Sequence, residues 1–135
     1  MVGSMTSIGR RLRKRQKQPL VPAPPGRPFD VVVTAEAFGT LIAVTGEVDI
    51  ATSPRLRTVL ADRPRTEGLL LLDLTAVTFM DSSGLSAVLN LQRDTTAAGE
   101  RLAVVCPPGP ARLLLEVTGV DTELPLFATR DAALA

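Results

Sequence analysis

The chain has 135 residues, 45% of them hydrophobic and only four aromatic, all Phe, which suits one globular domain with an aliphatic core and offers few faces for stacking nucleic-acid bases. It has no His and a single Cys, Cys106, which excludes Ser-His-Asp and Cys-His catalysis, an intramolecular disulfide and a Cys/His zinc site. The net charge of +1 hides a split: residues 1–28 hold seven basic residues and no acid, whereas residues 29–135 hold eight Arg, no Lys and fourteen acids, a net of −6.

Residues 1–28 read as a disordered basic arm with five prolines and little to bury. Met1–Ser4 reads as an extension ahead of a start at Met5. The run RRLRKRQK (10–17) suits a solubilising tail or electrostatic contact with an acidic partner, RNA or anionic lipid. It leads into QPLVPAPPGRP (18–28), which is broken by prolines and is no signal-peptide core. No apolar run approaches the roughly 18 residues of a membrane span, so a cytoplasmic location is expected.

The body begins at Phe29. FDVVVTA (29–35) and TLIAVTGEV (40–48) read as two strands, and the short turn between them predicts an antiparallel hairpin. Thr52-Ser53-Pro54 predicts a helix start, a hydroxyl N-cap before Pro at the first helical position. Leu56, Val59 and Leu60 follow at helical spacing, and Pro64 and Gly68 end the unit.

GLLLLDL (68–74) is a continuous apolar run, as expected of a central strand buried on both faces. Next comes FMDSSGLSAVL (79–89). Leu85, Val88, Leu89 and Gln92 recur at helical spacing, and Gly99 suits the end of that helix. RLAVVC (101–106) predicts another buried strand, with Cys106 as a small buried hydrophobe. Pro107–Pro110 breaks the chain, 111–119 reads as a short helix, ELPLFA (123–128) as an edge strand, and TRDAALA as the start of a terminal helix. Strand–helix–strand alternation favours parallel pairing. The fold class expected is therefore α/β, a small mixed sheet of four to five strands, mostly parallel with one antiparallel strand, covered by three to four helices.

The stretch Asp81-Ser82-Ser83-Gly84 carries the chemistry. Asp81 or Ser82 can N-cap the following helix. Capping explains neither the second hydroxyl nor Gly84, which costs about 1 kcal/mol relative to Ala in a helix and points to close approach by another group. Cap and functional site stand as alternatives on the residues alone. Asp49, in Gly46-Glu47-Val48-Asp49, follows the neighbouring strand and would lie at the same sheet edge; a turn or cap role is its other reading.

The GEVD element (46–49) ahead of the DSSG element (81–84), with RLAVVC and a proline-led helix behind, resembles the STAS domain of bacterial anti-sigma factor antagonists across residues 29–135. The resemblance implies that Ser82 accepts a phosphoryl group from ATP, transferred by a partner anti-sigma factor that is a serine kinase, with Ser83 as supporting neighbour or minor acceptor. It implies that the unmodified form binds the anti-sigma factor and frees the sigma factor, and that a PP2C-type phosphatase reverses the modification. Asp49, Asp81, Ser82, Ser83 and Gly84 would form the partner-facing surface. The chain itself would be a binding module without cofactor or metal, not an enzyme, and no direct nucleic-acid contact is expected. The alternative within the same family is the STAS subunit of a lipid-transport ATPase or a stressosome-type complex.

Two other readings fail on residue types. A phospho-Asp receiver would use Asp73, but it needs a late Lys, and residues 18–135 contain none. Asp73 reads instead as a strand-end residue supporting the adjacent loop. A hydrolase built on Ser82 lacks a base, with no His in the chain and no Lys in the body.

Overall fold

A computed structural model describes residues 11–12 and 28–135. The rest of the arm, with its expected disorder, lies outside the described residues. The strands are β1 (Arg11–Leu12), β2 (Phe29–Glu36), β3 (Gly39–Val48), β4 (Leu69–Met80), β5 (Arg101–Val105) and β6 (Leu126–Phe127). The helices are α1 (Ser53–Ala61), α2 (Ser82–Ala98), α3 (Pro110–Val117) and α4 (Arg130–Leu134), with a 3-10 turn at Val120–Thr122.

The five strands of the body form one mixed sheet in chain order, and two-residue β1 lies antiparallel on the outer edge of β2. The hairpin is as expected, with β2 and β3 antiparallel from Phe29↔Gly46 to Glu36↔Gly39. The pairs β3–β4, β4–β5 and β5–β6 are parallel. Each crossover steps the same way along the sheet, and α1, α2 and α3 all pack on one face, as same-handed crossovers require. Leu56, Val59 and Leu60 of α1, Ala87, Val88 and Leu91 of α2, and Ala111 and Leu115 of α3 meet Val31, Val33, Ile42, Val44, Leu70, Leu72 and Val104 in one core. Strand alternation sends Leu41, Leu71 and Val105 to the other face, where Ala133 of α4 packs on them.

Three expectations need correction. First, β4 runs on to Met80 instead of ending near Leu74. Thr75–Met80 lacks an apolar run, but it pairs with the end of β3 through two register shifts, so pairing with a neighbour creates this strand where local pattern does not. Second, the buried stripe of α2 is Gly84, Ala87, Val88, Leu91 and Thr95, not one centred on Leu85 and Gln92. Small residues let the helix approach the sheet, while Leu85 and Leu89 flank the core half-buried. Third, the last strand shrinks from six residues to Leu126–Phe127.

Candidate functional site

The carboxyl ends of the parallel strands share one edge, which brings the loop after β3 beside the loop after β4. The Asp81 amide donates to the Val48 carbonyl at 3.1 Å and ties the two together. Asp81 is extended, and its Oδ1 accepts from the amides of Ser83 at 2.8 Å and Gly84 at 3.4 Å. It is therefore the N-cap of α2, the longest helix.

Ser82 is the first residue of α2 and is exposed, whereas Ser83 is half-buried behind it. Among the described residues no hydrogen bond engages the Ser82 hydroxyl. Gly84 is buried, and the close approach expected there comes from side chains. A Cβ on Gly84 would lie 2.7 Å from Val48 Cγ1 and 2.8 Å from Met80 Cγ. Glycine thus seats the start of α2 on the ends of β3 and β4, which fixes where Ser82 is displayed.

Asp49 is brought to the same edge but is only 3% exposed. Its Oδ1 accepts from the amides of Ala51 at 2.9 Å and Thr52 at 3.1 Å. Thr52 is fully buried, and its hydroxyl does not cap α1. It accepts from the Asp49 amide at 3.0 Å and donates to the Glu47 carbonyl at 2.7 Å. The sequence marked Thr52 as a helix cap; in the fold it stitches the β3–α1 loop. Ile50, between these two clamped residues, is 79% exposed.

The helix amino end bears on phosphate chemistry. Backbone N–H groups there favour anions, but Asp81 already occupies the Ser83 and Gly84 amides. A phosphate on Ser82 would therefore lie beside this carboxylate, with the Ser83 and Gly84 amides already engaged.

Asp73 lies away from this edge chemistry. It is 5% exposed, and it accepts from the Thr75 amide and hydroxyl and from Arg130 Nε. Burial opposes its ionisation, yet the Thr75 donors and the Arg130 guanidinium prevail and hold its carboxyl below the usual carboxylate range. Because β4 runs on to Met80, Asp73 and Thr75 both lie within the strand, so Asp73 is not the strand-end support of a loop that the sequence suggested. Arg130, 57 residues on, is the partner that reading missed.

Taken together, these features define a mixed-sheet α/β module that displays a serine at a helix start beside a clamped acidic loop. The chain belongs to the STAS domain family, whose model matches residues 29–133. Solved structures similar to it include an anti-sigma factor antagonist from Mycobacterium paratuberculosis, at 27% identity and TM-score 0.70, covering 84% of this chain and 96% of that one. A putative anti-sigma factor antagonist from Thermotoga maritima shares the fold at 18% identity and TM-score 0.59, covering 80% and 91%. The anti-sigma factor antagonist SpoIIAA, in its unphosphorylated form, does so at 22% identity and TM-score 0.58, covering 79% and 93%.

Proposed function

We propose that this chain is an anti-sigma factor antagonist, switched off by phosphorylation of Ser82. The unmodified form binds an anti-sigma factor that is also a serine kinase, and so frees the sigma factor in the cytoplasm. The kinase holds ATP; the Ser82 hydroxyl oxygen bonds to the γ-phosphorus, the bond to ADP breaks, and the hydroxyl proton passes to a base of the kinase. A PP2C-type phosphatase restores the serine. The chain acts as ligand and substrate, not as catalyst.

The observation that carries this reading is the exposed Ser82 at the amino end of α2, with Asp81 beside it and the clamped loop of Asp49 against it. Phosphorylation adds about −1.5 to −2 charge there. That charge must be desolvated when a partner closes over it, next to a carboxylate that cannot pair with it. The expected effect is faster dissociation. Ser83 serves as the neighbour whose amide anchors the cap.

Incubation with purified anti-sigma kinases and ATP, followed by mass spectrometry of segment 79–93, tests the reading. One phosphoryl group on Ser82 is expected, absent from Ser82→Ala, and Ser82→Asp should bind the kinase at least tenfold more weakly. Full-strength binding by Ser82→Asp would overturn the switch.

A further inference from the structure

Asp49 was expected to face the partner, but it is buried, and the residue its loop presents is Ile50. A lone exposed aliphatic residue needs no explanation. Three observations set Ile50 apart. It is the most exposed of the large hydrophobic residues among those described, at 79%. The loop beneath it is held by the Asp49 and Thr52 bonds, both residues being buried, so its position is fixed before any partner arrives. The loop also adjoins the serine: the Val48 carbonyl, two residues before Ile50, accepts the Asp81 amide, one residue before Ser82. Phe79, a second exposed apolar residue at 46%, alternates with buried Met80 in β4 and so points to the sheet face away from α2.

We propose that Ile50 is the apolar anchor by which the anti-sigma factor docks over Ser82, and that Asp49 and Thr52 are positioning residues that hold the anchor out. The occupant is a protein surface with an apolar pocket matching the Ile50 tip, continuous with its contact to Ser82. This inference rests on the functional reading above. It gives the switch its range, since a dianion beside an apolar contact must lose water as the pocket closes. It also assigns Asp49 a role through its Oδ1 acceptor, which is distinct from a direct ionic contact.

The test uses the full chain and a panel of purified anti-sigma factor kinases from the same genome, with affinity measured by calorimetry. Ile50→Ala should weaken binding about tenfold and Ile50→Asp roughly a hundredfold, as truncating or charging a hot spot does. Thermal midpoints should stay at the wild-type value, because the side chain is exposed. Asp49→Asn keeps the acceptor oxygen and should bind like wild type, whereas Asp49→Ala should not. If Ile50→Asp binds within twofold of wild type while Ser82→Asp is lost, the anchor is wrong and the switch stands. If Asp49→Asn fails as badly as Asp49→Ala, the carboxylate acts by its charge and the positioning role is wrong. If no kinase binds the wild-type chain, both readings fall.

Discussion

Arg130 Nε donates to Asp73 Oδ2 at 2.5 Å, and this bond pins the terminal helix to the sheet face that α1–α3 leave uncovered. Little else holds α4, which has no fully buried residue and packs on Leu41, Leu71 and Val105 through Ala133. The pair is asymmetric, since the Asp73 side chain is 6% exposed and that of Arg130 is 50% exposed. Breaking it strands a buried carboxylate that keeps only its Thr75 donors.

Arg130→Ala should therefore cost about 1–2 kcal/mol at neutral pH, less than the roughly 3–5 of a wholly buried pair. The sign of the pH dependence follows from the lowered Asp73 carboxyl. A depressed folded-state pKa stabilises above the unfolded value, and the gain is lost as pH falls through the folded one. Urea titrations from pH 7 to pH 3 should show the wild-type advantage over Arg130→Ala shrinking below about pH 4. A gap that widens in acid would refute the assignment.

Gly84→Ala sets two effects against each other. Alanine gains about 1 kcal/mol of helix propensity. Its Cβ would press on Val48 Cγ1 and Met80 Cγ, both in the core and closer than carbon atoms tolerate. Overpacking of this kind costs typically about 1–3 kcal/mol. Val48 is stiff and fully buried, so net destabilisation of about 1 kcal/mol is expected. The double variant with Val48→Ala should lose less than the two single losses added, a coupling measurable by denaturant titration.

How far the sequence discloses this structure depends on the range of the interaction concerned. The β2–β3 hairpin, the Asp81 cap and Gly99 at the end of α2 are local, written in turn and cap residues. Hydroxyls beside a glycine at a helix start single out the stretch 81–84 but leave cap and site as alternatives, and Ser82 is chosen within it by the resemblance to the STAS family. The Arg130 partner of Asp73 was illegible because nothing local links positions 57 residues apart. The stretch from Thr75 to Met80 became strand only through β3. Ile50 in sequence is one more aliphatic residue; its exposure emerges only once Asp49 and Thr52 close the loop beneath it.

Asp81→Ala removes the acceptor for two α2 amides and should cost about 1 kcal/mol, whereas Asp81→Asn keeps an acceptor and should cost a few tenths. The Asn variant also removes a charge beside Ser82. On the proposed function, phosphorylated Asp81→Asn should retain more affinity for the kinase than the phosphorylated wild type. Equal losses in the two would show that Asp81 contributes capping alone.

Cys106 is 1% exposed, and burial pushes its thiol up to about 11, with the nearby Arg112 charge only partly opposing. About one thiol in a thousand is then ionised at pH 8, and the thiolate is the reactive form. Iodoacetamide at pH 8 should leave the native chain unmodified over hours and label it promptly in guanidinium chloride. Rapid native labelling would contradict the core placement.

Thr52→Val tests the clamp itself. Valine matches threonine in shape but neither donates nor accepts. The variant would leave the Glu47 carbonyl and the Asp49 amide without the Thr52 partner they share, in a place where Thr52 is fully buried. Each unmet buried group costs about 1–3 kcal/mol, so an overall loss of about 2 kcal/mol is expected, with the extra methyl contact offsetting part. Hydrogen exchange should locate the damage: the Asp49, Ala51 and Thr52 amides lose protection while those of β4 and β5 keep theirs. Thr52→Ser retains the hydroxyl and should preserve the protection pattern with only a small loss from the missing methyl. A clamp dependent on the hydroxyl requires that contrast, and equal behaviour of the Val and Ser variants would mean that packing alone shapes the loop.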